Sequence, residues 1–107
     1  MVYELRIYHM HPGRMDAIKQ RFIDHALHLL DEGGIKIIDF WLDAQGNERL
    51  YYICEYESLE ERERVWKDYM QNPAWIEAKK QSELDGPIVT KVESFMMEKA
   101  DFFYKLK

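Results

Sequence analysis

From Val2 to His9 polar and apolar side chains alternate, with Tyr3, Leu5 and Ile7 on one side and Glu4, Arg6 and Tyr8 on the other. This is the period of two that marks a β-strand. His11-Pro12-Gly13 breaks the ladder, because proline has no N–H to donate and glycine accepts turn dihedrals. Met15, Ile18, Phe22, Ala26 and Leu29 then recur at helical spacing to about Asp31, where Gly33-Gly34 supplies a helix stop. Ile35 to Asp43 and Leu50 to Glu57 are rich in β-branched and aromatic residues, and the intervening Ala44-Gln45-Gly46-Asn47-Glu48 suits a hairpin. Ser58-Leu59-Glu60-Glu61 reads as a capping box, with Glu61 reaching back to the Ser58 N–H, and it opens a helix whose apolar face carries Leu59, Trp66, Tyr69 and Met70. Asn72-Pro73 restarts that helix, which runs to near Ser82. After the Asp85-Gly86-Pro87 turn, Ile88 to Met97 alternates as a last strand, followed by a tail containing Asp101-Phe102-Phe103-Tyr104.

The order βαββαβ predicts an α+β fold of the ferredoxin-like type, an antiparallel sheet with both helices on one face. A sheet covered on one side should be polar on the other in a monomer. Glu4 and Arg6 are expected on that bare face, but the second strand offers Ile35, Ile37 and Trp41 against Ile38, Phe40 and Leu42, and the third Tyr51 and Ile53 against Leu50, Tyr52, Cys54 and Tyr56. Both faces are therefore largely apolar, and a homodimer paired through the open sheet face is expected.

With 107 residues, 47% hydrophobic and 33% charged, the chain is expected to form one domain over 1–107. A net charge of −5 without a basic cluster argues against nucleic acid and anionic membrane surfaces as partners. A single cysteine, Cys54, rules out an intrachain disulfide and suits a reducing compartment; with no targeting pattern or apolar span, a cytoplasmic location is expected.

Tyr3-Glu4-Leu5-Arg6-Ile7-Tyr8, Pro12-Gly13-Arg14-Met15, Gly34-Ile35-Lys36 and Phe40-Trp41 occur in order with Glu57-Ser58-Leu59-Glu60-Glu61-Arg62, Trp66, Asn72-Pro73-Ala74-Trp75, Ser82-Glu83, Asp85-Gly86-Pro87 and Glu93-Ser94. Together these resemble the NIPSNAP family across nearly the whole chain. The resemblance implies the dimeric α/β-barrel variant of the ferredoxin-like fold and no established reaction. Where the family often carries a proline after the His-x-Leu of the first helix, this chain has His25-Ala26-Leu27-His28, so a straighter helix is expected.

Candidate chemistry is sparse. His25 lies three residues after Phe22 and four before Leu29, a spacing that points it toward the sheet as a catalytic or ligand-binding group, or simply as a partly buried histidine with one hydrogen bond. Arg6 and Tyr8 share a strand face with Glu4 and suit a pocket orienting a carboxylate or enolate, with Arg6 the anion contact; salt links across strands or subunits are the plainer explanation. Asp39 interrupts an apolar run, needs a partner such as Arg6, and would be a general base only if desolvated. Trp41, Tyr52 and Trp66, with Tyr56, are candidates for an aromatic ligand pocket, although aromatic residues at these spacings equally build core. His9-x-His11 and the His25/His28 pair have metal-compatible spacing but no completing ligands, and no phosphate loop or nucleophile elbow occurs, so neither metal nor cofactor is expected. Cys54 reads as a small buried hydrophobe.

These features suit a small organic ligand held between sheet and helices. By analogy of fold, a cofactor-independent monooxygenase or isomerase is an alternative. A non-catalytic dimeric interaction module, its interior filled by Trp and Tyr, is another. The sequence leaves open whether the protein is an enzyme.

Overall fold

The computed structural model describes residues 1–104; the end of the expected 1–107 unit lies outside the described residues. Along the chain run β1 (Val2–Met10), α1 (Met15–Arg21), a π-helical turn (Phe22–Ala26), α2 (Leu27–Glu32), β2 (Lys36–Leu42), β3 (Arg49–Tyr56), α3 (Leu59–Gln71), α4 (Pro73–Ser82), β4 (Val89–Met97) and a short α5 (Asp101–Tyr104). The four strands form one antiparallel sheet in the order β2-β3-β1-β4, so β1 lies between β3 and β4. The fold is therefore α+β and ferredoxin-like, as the sequence predicts.

The core forms where α1, the π turn, α2 and α3 meet the sheet. Ile18, Phe22, Leu29, Leu30, Val65, Trp66 and Tyr69 come from the helical side, and Leu50, Tyr52, Cys54 and Tyr56 from β3. Local chemistry sets the helix ends. Gly34 has φ +82, and its N–H donates to Asp31 O at 3.0 Å while that of Ile35 donates to Leu30 O at 2.9 Å, the paired bonds of a Schellman stop. Ser58 Oγ accepts from the Glu61 N–H at 3.1 Å, but the Glu61 carboxylate accepts from Glu57 N at 3.1 Å, one residue before the expected Ser58. Asn72 caps α4 through Ala74 N at 2.9 Å, with Pro73 in the first turn.

Three expectations are corrected. The polar side of β1 faces the helices: Glu4 is completely buried (0% exposed), and Tyr3, Leu5 and Ile7 take the open face. In β2 a bulge at Ile38 resets the alternation, so Ile37, Phe40 and Leu42 pair with the helix-facing Cys54, Tyr52 and Leu50, whereas Asp39 and Trp41 pair with Ile53 and Tyr51 of the open face. In α3 the buried residues are Val65, Trp66 and Tyr69, and Leu59 and Met70 are more than half exposed.

The first helix is not straighter for lacking a proline. Leu27 N–H bonds back to Phe22 O, an i→i+5 bond that widens the turn. A wider turn advances each side chain through a smaller angle, so the residue three after Phe22 no longer falls back over it. Phe22 and Ala26 stay buried, and His25 turns out to solvent.

The open face carries Leu5 beside Ile53 and Phe95, Ile7 beside Tyr51, and Trp41 beside Tyr51, with Phe95 and Trp41 about half exposed. At one end of this face Phe102, Phe103 and Tyr104 of α5 join Tyr3, Ile38, Ile53 and Met97 around a second apolar hollow.

This register predicts a contrast between two residues of the first helical segment. Leu30→Ala, which empties a position only 2% exposed, should cost about 2–5 kcal/mol in urea unfolding. His25→Ala should stay within about 0.5 kcal/mol of the parent.

Candidate functional site

The helix-facing side of β1 presents Glu4, Arg6 and Tyr8 in a row beneath α3 and the π turn. The Glu4 carboxylate accepts from Tyr56 Oη (2.7 Å), Arg62 Nε (3.1 Å), Arg62 Nη2 (2.6 Å) and Arg6 Nη1 (3.0 Å), and also from the Ser94 hydroxyl. Desolvation pushes against its charge, but the hydrogen bonds from Arg62, Ser94 and Tyr56 and the nearby Arg6 outweigh it and hold the pKa at about 2. Trp66 Nε1 donates to Tyr56 Oη at 2.6 Å, which in turn donates to Glu4.

Arg6 is placed by this carboxylate. Its guanidinium lies over the Trp66 ring, 4.1 Å from the centroid, and its Nε donates to Tyr52 Oη at 2.9 Å. Burial opposes its charge, whereas Tyr52, Tyr8 and Glu4 favour it strongly enough to raise its pKa. The hydroxyls of Tyr52 and Tyr8 are 2.8 Å apart, and burial pushes the Tyr52 phenol far above its ordinary range. Phe22, Phe40, Tyr8 and Tyr52 pack ring against ring around this pair.

Across from Arg6, Arg21 leaves the end of α1 with only 6% of its surface exposed. It stacks over Trp75, 5.1 Å from the ring centroid, and donates to Ser82 Oγ at 3.3 Å; burial pulls its pKa down. Trp75 in turn stacks on Tyr69 at 5.2 Å, and Tyr69 meets Trp66 edge-on at 5.5 Å. Between these groups, β4 and the π turn lies a cavity of about 450 Å³, lined by Arg6, Tyr8, Arg21, Trp66, Tyr69 and Trp75, with Lys79, Lys91 and Glu83 around it. That volume lies within the ~300–1,000 Å³ range of small-molecule sites. Four cationic side chains against one carboxylate make it an electropositive cleft with aromatic walls.

Of the residues singled out from sequence, Arg6, Tyr8 and Trp66 line this cavity, and Tyr52 lies directly beneath Arg6 and Tyr8. His25 is exposed and outside it, turned away by the π turn. Trp41 lies on the opposite face of the sheet. Asp39 is on that face too, exposed, its carboxylate accepting from the neighbouring Phe40 N–H at 2.8 Å instead of meeting Arg6. His9 is paired with Glu93 at 2.6 Å, and among the described residues no cluster of His, Cys, Asp and Glu could hold a metal ion. Cys54 is fully buried, and desolvation pushes its thiol up to about 11, which removes it as a nucleophile.

Sequence reasoning missed Arg21, Arg62, Ser94, Tyr69 and Trp75 as parts of this site. A signal existed for the arginines. Arg21 is three residues after Ile18 on the first helix, and Arg62 is one turn before Trp66, so both are cations sharing an apolar helix face.

The NIPSNAP family model matches residues 3–103. The chain belongs to the NIPSNAP family. A NIPSNAP domain protein from Burkholderia xenovorans superposes with a TM-score of 0.82 at 17% identity, over 95% of this chain and 97% of that one. A NIPSNAP family protein of unknown function from Agrobacterium tumefaciens gives 0.82 at 20% identity, over 94% and 88%. A candidate antibiotic biosynthesis monooxygenase from Nitrosomonas europaea shares the fold more loosely, with a TM-score of 0.63 at 10% identity over 92% and 98%. These likenesses establish a common fold, and a NIPSNAP fold carries no reaction with it. No functionally curated protein matches the chain.

Because the Glu4 pKa is depressed in the folded state, its contribution is complete above the unfolded carboxyl value and disappears as pH falls through about 2. Unfolding free energy should decline by about 3 kcal/mol from this group between pH 5 and pH 2. Glu4→Gln should flatten that part of the profile and lower stability at neutral pH by a similar amount, since it leaves Arg6 and Arg62 without their counter-charge. Urea titrations of both proteins across this range are the check.

Proposed function

We propose that this NIPSNAP protein binds a small organic ligand in the cavity between sheet and helices. The observation that carries the reading is the cavity itself: about 450 Å³ left open between aromatic walls that are locked by their own contacts and by the part-buried Arg6 and the buried Arg21. An interior filled by Trp and Tyr side chains, as a purely structural module requires, would leave no such volume. Arg6, Tyr8 and Trp66 are the ligand contacts we assign from the original candidates, joined by Arg21 and Trp75; His25, Trp41 and Asp39 lie elsewhere.

The second part of the proposal is self-association. Beyond the end where α5 packs, the open sheet face gathers Leu5, Ile7, Trp41, Tyr51 and Phe95 without a covering layer from the described residues. A contiguous apolar surface of that kind is unusual on a soluble monomer, and two-fold pairing of like faces is the commonest way to bury it. A buried cysteine outside any disulfide, Cys54, suits the reducing cytoplasm. No helix among the described residues is long and apolar enough to cross a membrane.

Native mass spectrometry of protein purified from its own host tests both parts. We expect a dimer carrying a reproducible extra mass of small-molecule size; a bare polypeptide under gentle desolvation would count against ligand binding. Phe95→Lys, which places a charge on the open face, should convert the dimer to a monomer in size-exclusion chromatography with light scattering. A parent protein that is already monomeric at micromolar concentration would remove the dimer.

A further inference from the structure

Hydrogen-bond direction on the cavity floor follows from burial. Arg6 Nε can only donate, and it donates to the Tyr52 oxygen at 2.9 Å. Tyr52 is completely buried (0% exposed), and among the described residues its hydroxyl has one further hydrogen-bond partner, the Tyr8 hydroxyl at 2.8 Å. Were Tyr8 the donor of that bond, the Tyr52 proton would be buried without an acceptor, at a cost comparable to any lost buried hydrogen bond. The Tyr52 proton therefore goes to the Tyr8 oxygen. Tyr8, half-buried and lining the cavity, keeps its own proton for whatever lies there.

The resulting chain runs from the Arg6 guanidinium through Tyr52 to Tyr8, each member donating to the next. Donors linked in this way polarise one another, and a chain that begins at a cation ends in a stronger and better-aimed donor than an isolated phenol. Arg21, Lys79 and Lys91 line the same cavity with Glu83, and the rings of Trp66 and Trp75, each with a guanidinium over it, form part of its wall. We propose that Tyr8 donates its hydroxyl proton in a hydrogen bond to the oxygen of a conjugated oxyanion, a phenolate or enolate, whose planar body lies in the aromatic-walled cavity. Tyr52 is the positioning residue that aims this donor. The inference rests on the cavity being a ligand site and adds the chemical class of the ligand and the atom that recognises it.

The test uses two small probes of the same shape, 4-nitrophenolate and nitrobenzene, titrated calorimetrically at a pH where the phenol is ionised. The parent protein should prefer the phenolate by at least about tenfold, the scale of one charge-assisted hydrogen bond. Tyr8→Phe keeps the ring and removes the donor: it should erase most of that preference and leave nitrobenzene affinity unchanged. Tyr52→Phe, folded as judged by its melting transition, should lower the preference several-fold, a ratio that a merely structural role would not move. An undiminished preference in Tyr8→Phe overturns Tyr8 as the recognising donor, equal binding of both probes by the parent overturns the oxyanion class, and in either case the cavity remains a ligand site. Binding of neither probe overturns both.

Discussion

A carboxylate buried under a helical layer is tolerable only if every lone pair it exposes is met, and Glu4 meets this condition by drawing on most of the fold. Arg6 of β1, Tyr56 of β3, Ser94 of β4 and Arg62 of α3 all donate to it. Burying an unpaired carboxylate would cost several kcal/mol, so the register of three strands and the seating of α3 are coupled through one side chain. The same contact explains why Arg6 is where it is: with Nη1 on Glu4, its guanidinium lies flat over Trp66, and its Nε reaches Tyr52. Two guanidiniums share one carboxylate here, and the excess positive charge is carried on the cavity side by Arg6.

The opposite wall depends on aromatic stacking. Arg21 is a buried cation with no carboxylate hydrogen bond among the described residues; its position is kept by Trp75 and Ser82, and Trp75 by Tyr69. Rings this large, each in contact with the next, do not close over an empty volume without leaving their packed geometry. The cleft persists because its walls are held by neighbours on their outer sides.

The element order, the hairpin, the paired α3 and α4 helices and the sheet topology were all legible in the periodicity of the sequence, because strand alternation and helix caps are local signals. What escaped were three displacements of register. Glu4 and Arg6 look like the solvent side of a strand, since nothing local reveals that Arg62, fifty-eight residues on, supplies the counter-charge that lets them face inward. The bulge at Ile38 lies in an unbroken apolar run, where a one-residue slip changes no visible pattern and yet moves Trp41 and Asp39 to the other face. The π turn likewise leaves Phe22 and Ala26 four apart, as an α-helix would, and changes only what lies between them, which is why His25 was misplaced. The candidate site was half legible: Arg6, Tyr8, Tyr52 and Trp66 declared themselves by residue type, and Arg6 and Tyr8 by sharing a strand face, whereas Arg21 and Trp75 meet only through tertiary packing.

These displacements also decide what can be borrowed from relatives by fold. A candidate monooxygenase superposes on this chain at 10% identity, and at that distance the sheet and helices are shared while the side chains that do chemistry need not be. In this chain the cavity's character is set by a local charge reversal: a protein of net charge −5 concentrates Arg6, Arg21, Lys79 and Lys91 around one pocket. Acidic surroundings repel large polyanions at long range, but fields are screened beyond about 8 Å in physiological salt, whereas the part-buried Arg6 and the buried Arg21 act with little screening at contact. On the proposed reading, this arrangement favours a small anion that can enter the cleft. The proposed selection by size and by charge would then arise from one arrangement, with Glu4 fixing the first arginine and Trp75 the second.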